Sequence, residues 1–172
     1  MLNLLPLMKG WTYTIKTLNQ PIITKNKVTT IIGKSDSTGW FIAGSAITTD
    51  PQIDLKFYVN GQDVITASPS LFYVFGGRNQ IGVPFTFSYG QYVPGSSYQV
   101  YGFGLYNTNG YPYNGEIKVT LETQLDEIYI ADYEVIMLEI TDKKAFIESY
   151  KSLHRTDSKV LAQLLTEEGM GD

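Results

Sequence analysis

The sequence predicts a mainly β protein: an antiparallel β-sandwich of the jelly-roll or Greek-key type that ends in a short α-helical appendage. Apolar and polar residues alternate with a period of two over several short runs, and pairs of turn-forming residues separate these runs. Because successive side chains of a strand point to opposite faces, such alternation places one face on a core. A C-terminal stretch that lacks glycine and proline predicts the helices.

Four runs show the alternation most clearly. Their predicted core-facing residues are Trp11, Tyr13 and Ile15 in the first, Ile53, Leu55, Phe57 and Val59 in the second, Val83, Phe85 and Phe87 in the third, and Ile117, Val119 and Leu121 in the fourth. The pair Asn60-Gly61 follows the second run, and it predicts a tight hairpin because both residues tolerate positive φ. Asn109-Gly110 and Asn114-Gly115 predict further turns.

Composition divides the chain into three segments. Residues 1–10 form an apolar N-terminal arm, residues 11–125 form the β-sandwich domain, and residues 126–172 form a strand and two short helices that dock as an appendage. Fifteen of the 30 charged residues lie from Glu127 onward. This change in composition predicts a boundary near Leu125.

Two amphipathic helices are predicted in the third segment, each beginning after a Thr-Asp pair that can cap it. Each helix is too short to be stable alone in water, so its apolar stripe must rest on another surface. The candidate docking residues for assembly are Phe146, Tyr150 and Leu153 on the first helix and Val160, Leu161, Leu164 and Leu165 on the second.

The composition excludes several classes of protein. A net charge of −4 and a pI of about 5.0 argue against a nucleic-acid partner, which would require a basic face. The chain has no cysteine, so disulfides and thiolate metal sites are excluded. No apolar run is long enough for a membrane span, and the N-terminus lacks the features of a signal peptide. Only 17% of the residues are charged, which is typical of proteins with wide contact surfaces.

No catalytic constellation is predicted, so we expect a protein that is not an enzyme and that uses no cofactor or metal. The single histidine, His154, lies in the last turn of the first predicted helix, where a surface role is favoured. Two of the carboxylates Asp36, Asp50, Asp54 and Asp63 would suffice for a hydrolase, and the same oxygens suit calcium. Local hydrogen bonding within turns is the favoured interpretation of all four.

Tyrosine alternates with glycine and polar residues in the segment Ser88–Gly115. Such surfaces make good contact patches, because rigid amphipathic rings supply area at low entropic cost. The candidate contact residues, which we expect to be exposed in turns, are Tyr89, Tyr92, Tyr111 and Tyr113. The alternative is that these rings pack on the sandwich. If exposed, they would suit a carbohydrate-binding module or adhesin, in which aromatic rings stack on sugars.

Four segments in succession, Asp54–Gln62, Ser68–Tyr73, Val83–Phe87 and Gly115–Leu121, resemble small jelly-roll-type virion structural proteins of bacterial and archaeal viruses. The resemblance covers roughly residues 11 to 124 and consists of strand order, hairpin style and composition. It implies a capsid, decoration, spike or tail component that is assembled in the host cytoplasm. Its implied partners are copies of itself and other structural subunits, and the helical tail is not part of the pattern.

Overall fold

The structure is a computed structural model that describes residues 7–69, 86–90 and 100–153. The elements in chain order are β1 (Trp11–Thr17), β2 (Ile22–Thr24), β3 (Val28–Thr48), β4 (Asp54–Val59), β5 (Gln62–Ala67), β6 (Thr86–Gly90), β7 (Tyr101–Glu122), β8 (Ile128–Ile140) and α1 (Lys143–Leu153). The strands form one antiparallel sheet in the order β1-β8-β3-β7-β4-β5, in which β2 also pairs with β8 and β6 with β7. The predicted class, mainly β with a short C-terminal helix, is confirmed.

The two longest strands, β3 and β7, have 21 and 22 residues and pair with each other along their lengths. Two predicted turns, Asn109-Gly110 and Asn114-Gly115, lie inside β7, so the prediction of turns there is wrong. The φ angles of Gly110 and Gly115 are 73° and 111°, which let the strand bend without ending. Gly110 is also pressed against β3, since a Cβ atom there would lie 2.7 Å from Cβ of Trp40.

The ribbon formed by β3 and β7 folds back on itself. Gly44 pairs with Leu105 of β7, and Leu55 pairs with Leu121 of the same strand. In a straight strand, Leu105 and Leu121 would lie ~50 Å apart, at ~3.3 Å per residue. A Cβ atom on Gly44 would nevertheless lie only 3.2 Å from Cδ1 of Leu55. The two halves of the ribbon must therefore face each other.

A single core fills the space between the two halves of the bent sheet. Its centre is a stack of Phe41 of β3 on Phe57 of β4, whose ring centroids are 4.9 Å apart. The core residues with no exposed surface are Phe41, Ile53, Leu55, Phe57, Ala67, Val119, Ile130, Val135 and Met137. One continuous folded sheet thus supplies both layers among the described residues, and the two separate sheets of the predicted sandwich are not shown.

The structure confirms two of the four predicted core faces and contradicts one. Ile53, Leu55 and Phe57 of the second run are buried, as are Ile117, Val119 and Leu121 of the fourth, which confirms both. The first run is wrong, because Tyr13 and Ile15 are 48% and 59% exposed. Its strand, β1, is terminal in the sheet order, and alternation does not reveal whether anything packs on a face. Most of the third run lies outside the described residues.

The predicted hairpin at Asn60-Gly61 is confirmed. Val59 pairs with Gln62, and the φ angles of Asn60 and Gly61 are 51° and 77°, as a two-residue hairpin turn requires. Asn60 also binds the bent strand β7. Its backbone NH donates to the carbonyl of Glu116 at 2.8 Å, and its side-chain oxygen accepts from the NH of Glu116 at 2.9 Å.

Asp50 joins the two ends of the ribbon. It follows β3, it is 2% exposed, and its carboxylate accepts hydrogen bonds from Oγ1 of Thr123, just after β7, and from the NH of Gln52 at 2.8 Å. Oγ1 of Thr48 accepts from the backbone NH of Asp50 at 3.2 Å. Since Thr48 pairs with Tyr101 at the other end of β7, Asp50 marks the point where the ends of that strand meet.

The chain divides into two compact units, residues 13–139 and a smaller unit of residues 1–12 and 140–172. In the smaller unit, Asp142 caps α1 by accepting from the NH of Ala145 at 2.9 Å, and the NH of Lys9 donates to Oγ of Ser149 at 3.1 Å. The predicted first helix and its cap are confirmed. The strand assigned by sequence to the appendage, β8, pairs with β3 in the sheet.

We expect Asp50→Ala to lower the free energy of unfolding by about 1.5–3 kcal/mol, because the buried hydroxyl of Thr123 and the NH of Gln52 lose a charged acceptor. Urea denaturation followed by circular dichroism measures the change. The matched control is Asp132→Ala, which removes an exposed carboxylate from β8. Equal stability of the two variants would show that Asp50 does not hold the ribbon ends together.

Candidate functional site

The predicted contact tyrosines are placed differently from the prediction. Tyr113 is 4% exposed and Tyr111 is half-buried, and both rings pack edge-on against Phe57, at 5.7 and 6.3 Å between centroids. The prediction that Tyr113 is exposed is therefore wrong, because the supposed turns around it are bends within β7 and alternate residues still face the core. Tyr89 lies on β6 opposite Phe103. Tyr92 lies outside the described residues.

The candidate docking residues of the first helix are covered within the chain. Phe146 and Tyr150 are 1% and 6% exposed, so neither presents a surface to a neighbouring molecule. Leu153 is the last residue of α1. The residues predicted for the second helix, Val160, Leu161, Leu164 and Leu165, lie outside the described residues.

Three of the seven large apolar side chains that are exposed among the described residues lie on β1 and β2, at one end of the sheet. Tyr13 and Ile15 of β1 and Ile23 of β2 are 48%, 59% and 60% exposed. We call these three residues the apolar strip. Large β-branched and aromatic side chains are usually buried, so a group of them in solvent marks a surface suited to contact.

All three residues of the apolar strip point away from the core. Oγ1 of Thr14 donates to Glu139, which lies on the same face of β8 as the core residues Met137 and Val135. Thr14 is therefore on the inner side, and its neighbours Tyr13 and Ile15 face outward. Ile23 pairs directly with Tyr129, which lies between two core positions of β8. The same carboxylate of Glu139 pairs with Nζ of Lys34 at 2.6 Å.

A polar network occupies the outer face of the opposite half of the sheet. Glu122 of β7 accepts from the hydroxyl of Tyr58 at 2.7 Å and from Oγ1 of Thr120 at 2.9 Å, both at Oε1. Its Oε2 forms an ion pair with Nζ of Lys56 at 3.1 Å. Thr120 is fully buried, and the side chains of Lys56 and Glu122 are each 22% exposed. Glu122 is therefore held in a fixed orientation by three donors.

The electrostatics of this network favour an ionised Glu122. Burial alone would raise the pKa of Glu122, but the hydrogen bonds from Tyr58, Lys56 and Thr120 outweigh it and lower this pKa below its usual value. The hydrogen bond to Glu122 raises the pKa of Lys56, which keeps the ammonium charged. Burial raises the pKa of Asp54, the cross-strand partner of Glu122.

A groove of about 380 Å³ opens beside the network. It is lined by Val28, Tyr58, Gly61, Glu116, Lys118 and Glu122. Two lining carboxylates and a lysine come from β7, whereas Tyr58 and Gly61 belong to the hairpin of β4 and β5. The register places Tyr58 directly opposite Lys118, which is why residues so distant in sequence share one wall.

Over the described ranges, no three acidic or histidine side chains are grouped so as to hold a metal ion. No helix in the described part of the chain has the length and apolar character to cross a membrane. No protein-family model matches the chain, and no curated protein matches it either.

Sequence reasoning missed Glu122 and the groove. It placed Asp54, Lys56 and Tyr58 on the solvent side of their strand, and β4 has that orientation. The partner strand was the missing information, because β4 and β7 pair across more than fifty intervening residues. Lys118, Thr120 and Glu122 alternate with the core residues of the fourth run, and this was the available signal that a second polar face existed.

The stability of the protein should fall on acidification in a way that depends on Glu122. The lowered pKa of Glu122 means that the folded state releases the proton of this carboxyl more readily than the unfolded chain does. The resulting stabilisation is present above the unfolded pKa of about 4.3, and it is lost as the pH falls through the lower pKa of the folded state. Glu122→Gln should make the unfolding free energy fall less steeply as the pH drops below about 4.3. Urea titrations of the wild type and of Glu122→Gln at several pH values measure this, and an equal pH dependence in the two proteins would contradict it.

Proposed function

We propose that this chain is a structural subunit of a virion or similar assembly, as a capsid, decoration, spike or tail component, and that it acts through subunit contacts and not through catalysis. The proposal includes assembly in a host cytoplasm, as the virion resemblance implies. Its partners are copies of the chain and other structural subunits, and it assigns no catalytic residue, cofactor or metal.

The apolar strip is the observation that carries this proposal. Ile15 and Ile23 are 59% and 60% exposed, although they occupy strands of a well-packed sheet. Burying one such side chain contributes about 1.5–3 kcal/mol. Covering the strip with a neighbour therefore supplies a driving force for association that the isolated chain does not use.

Composition and architecture support the same role. Only 17% of residues are charged, so long-range repulsion between copies is weak. The strip lies on β1, which is terminal in the sheet order, and on the adjacent β2. A second copy related by a twofold axis would bring its own strip against this one, since a patch of apolar side chains is complementary to itself.

We expect the purified chain to associate, and the double variant Ile15→Thr with Ile23→Thr to weaken association at least about tenfold, because polar atoms replace buried methyl groups. Threonine keeps the branched Cβ that suits a strand. Sedimentation velocity over a concentration series measures the change. Leu125→Thr is the matched control, since Leu125 is 45% exposed but belongs to the turn before β8.

Two results would contradict the proposal. One is a wild-type chain that sediments as a monomer even at the highest soluble concentration. The other is an oligomer that the strip variant and the Leu125 control weaken equally. Either outcome would remove the apolar strip as an assembly surface.

A further inference from the structure

We propose that the groove beside Glu122 is a binding site for an uncharged carbohydrate. This inference is independent of the subunit role, because the groove and the apolar strip lie on different strands. The groove holds about 380 Å³, which is in the range of small-molecule sites. Its walls combine a fixed carboxylate, a lysine and an aromatic ring, and together they fit a ligand rich in hydroxyl groups.

The fixed carboxylate is the first argument. Glu122 receives three hydrogen bonds, from Tyr58, Thr120 and Lys56, whereas a carboxylate has about four acceptor positions. An acceptor position therefore remains for a ligand. Because the side chain is already immobilised and ionised, a ligand that binds there does not have to order it.

The order of groups along β7 is the second argument. Glu116, Lys118, Thr120 and Glu122 alternate with core residues and so share one face at a spacing of ~7 Å. The three of them that line the groove offer an acceptor at Glu116, a donor at Lys118 and another acceptor at Glu122. The buried Thr120 donates to Glu122. A sugar hydroxyl both donates and accepts, so a chain of hydroxyls can satisfy groups of both kinds.

Charge balance is the third argument, and it selects a neutral ligand. Within the lining, Glu116 and Glu122 are acidic and Lys118 is basic, and Lys56, which lies outside the lining, pairs with Glu122. An anionic ligand would therefore meet two carboxylates for one lysine in the groove, and the ion pair with Lys56 offsets the attraction of Glu122 for a cation. A neutral polyol meets no such penalty.

Tyr58 and Val28 provide the apolar part of the groove, against which the carbon face of a sugar ring can pack. The tip of the hairpin leaves the mouth open, since a Cβ atom built on Gly61 would have no neighbour within 4 Å. A ligand can therefore extend past the hairpin, as an oligosaccharide would.

The test is an NMR titration of the intact chain with galactose, N-acetylglucosamine and maltotriose at millimolar concentrations. We expect at least one sugar to shift the backbone amide signals of residues 56–61 and 116–122 in a saturable manner. No shift with any of the three sugars, or shifts confined to other residues, would overturn the proposal. Spermidine is the charged comparison, and saturable binding of spermidine with no response to sugar would also overturn it.

Two variants assign the binding to the named groups. Lys118→Ala and Glu122→Gln should each weaken sugar binding at least about tenfold, since each removes a hydrogen bond that involves a charged group. Lys118 makes none of the three contacts to Glu122, so its variant tests the site even if Glu122→Gln perturbs folding. Glu127→Gln, an exposed carboxylate in the turn before β8, is the control. Unchanged affinity in both groove variants would overturn the proposal, whatever the oligomeric state.

Discussion

The fold depends on closing the long β3–β7 ribbon upon itself. A two-stranded ribbon alone buries little apolar surface, so the bend is stabilised by the core packed between its halves, at whose centre Phe41 of β3 stacks on Phe57 of β4. Asp50 adds a polar constraint at the open end, where its carboxylate bonds both Thr123 and the turn that follows β3. An apolar contact at the centre and a buried polar one at the edge thus stabilise the same bend.

Both candidate surfaces follow from that bend. Alternation sends every second residue of β4 and β7 inward to the core, and the residues between them, such as Tyr58 and Glu122, must then form an outer face of their own. β1 lies at the opposite end of the strand order, where Ile15 stays uncovered. The packed interior therefore positions a hydrogen-bonded polar face and an apolar strip in different parts of one sheet.

The sequence predicts the local features well, because short-range geometry decides them. The period of two identifies Ile53–Val59 as a half-buried strand, and Asn60-Gly61 forms its turn from its own φ preferences. Asn114-Gly115 has the same composition yet continues a strand, because Glu116, the residue after this pair, exchanges hydrogen bonds with Asn60 of the distant hairpin. The burial of Tyr113 and the pairing of β4 with β7 depend on such long-range contacts, which periodicity does not contain.

The contact between the hairpin tip and β7 restricts how the chain can vary in length. Surface turns normally accept insertions, since little else depends on their geometry. Here Asn60 supplies hydrogen bonds to β7 beside its bend, through its backbone and through its side chain. An extra residue in this turn would move Asn60 away from its two acceptors, the carbonyls of Glu116 and Asn114, and from its donor, the NH of Glu116. Lengthening the turn would therefore require a matching change in β7. The geometry of the hairpin tip and the geometry of β7 at Glu116, more than fifty residues further along the chain, therefore depend on each other.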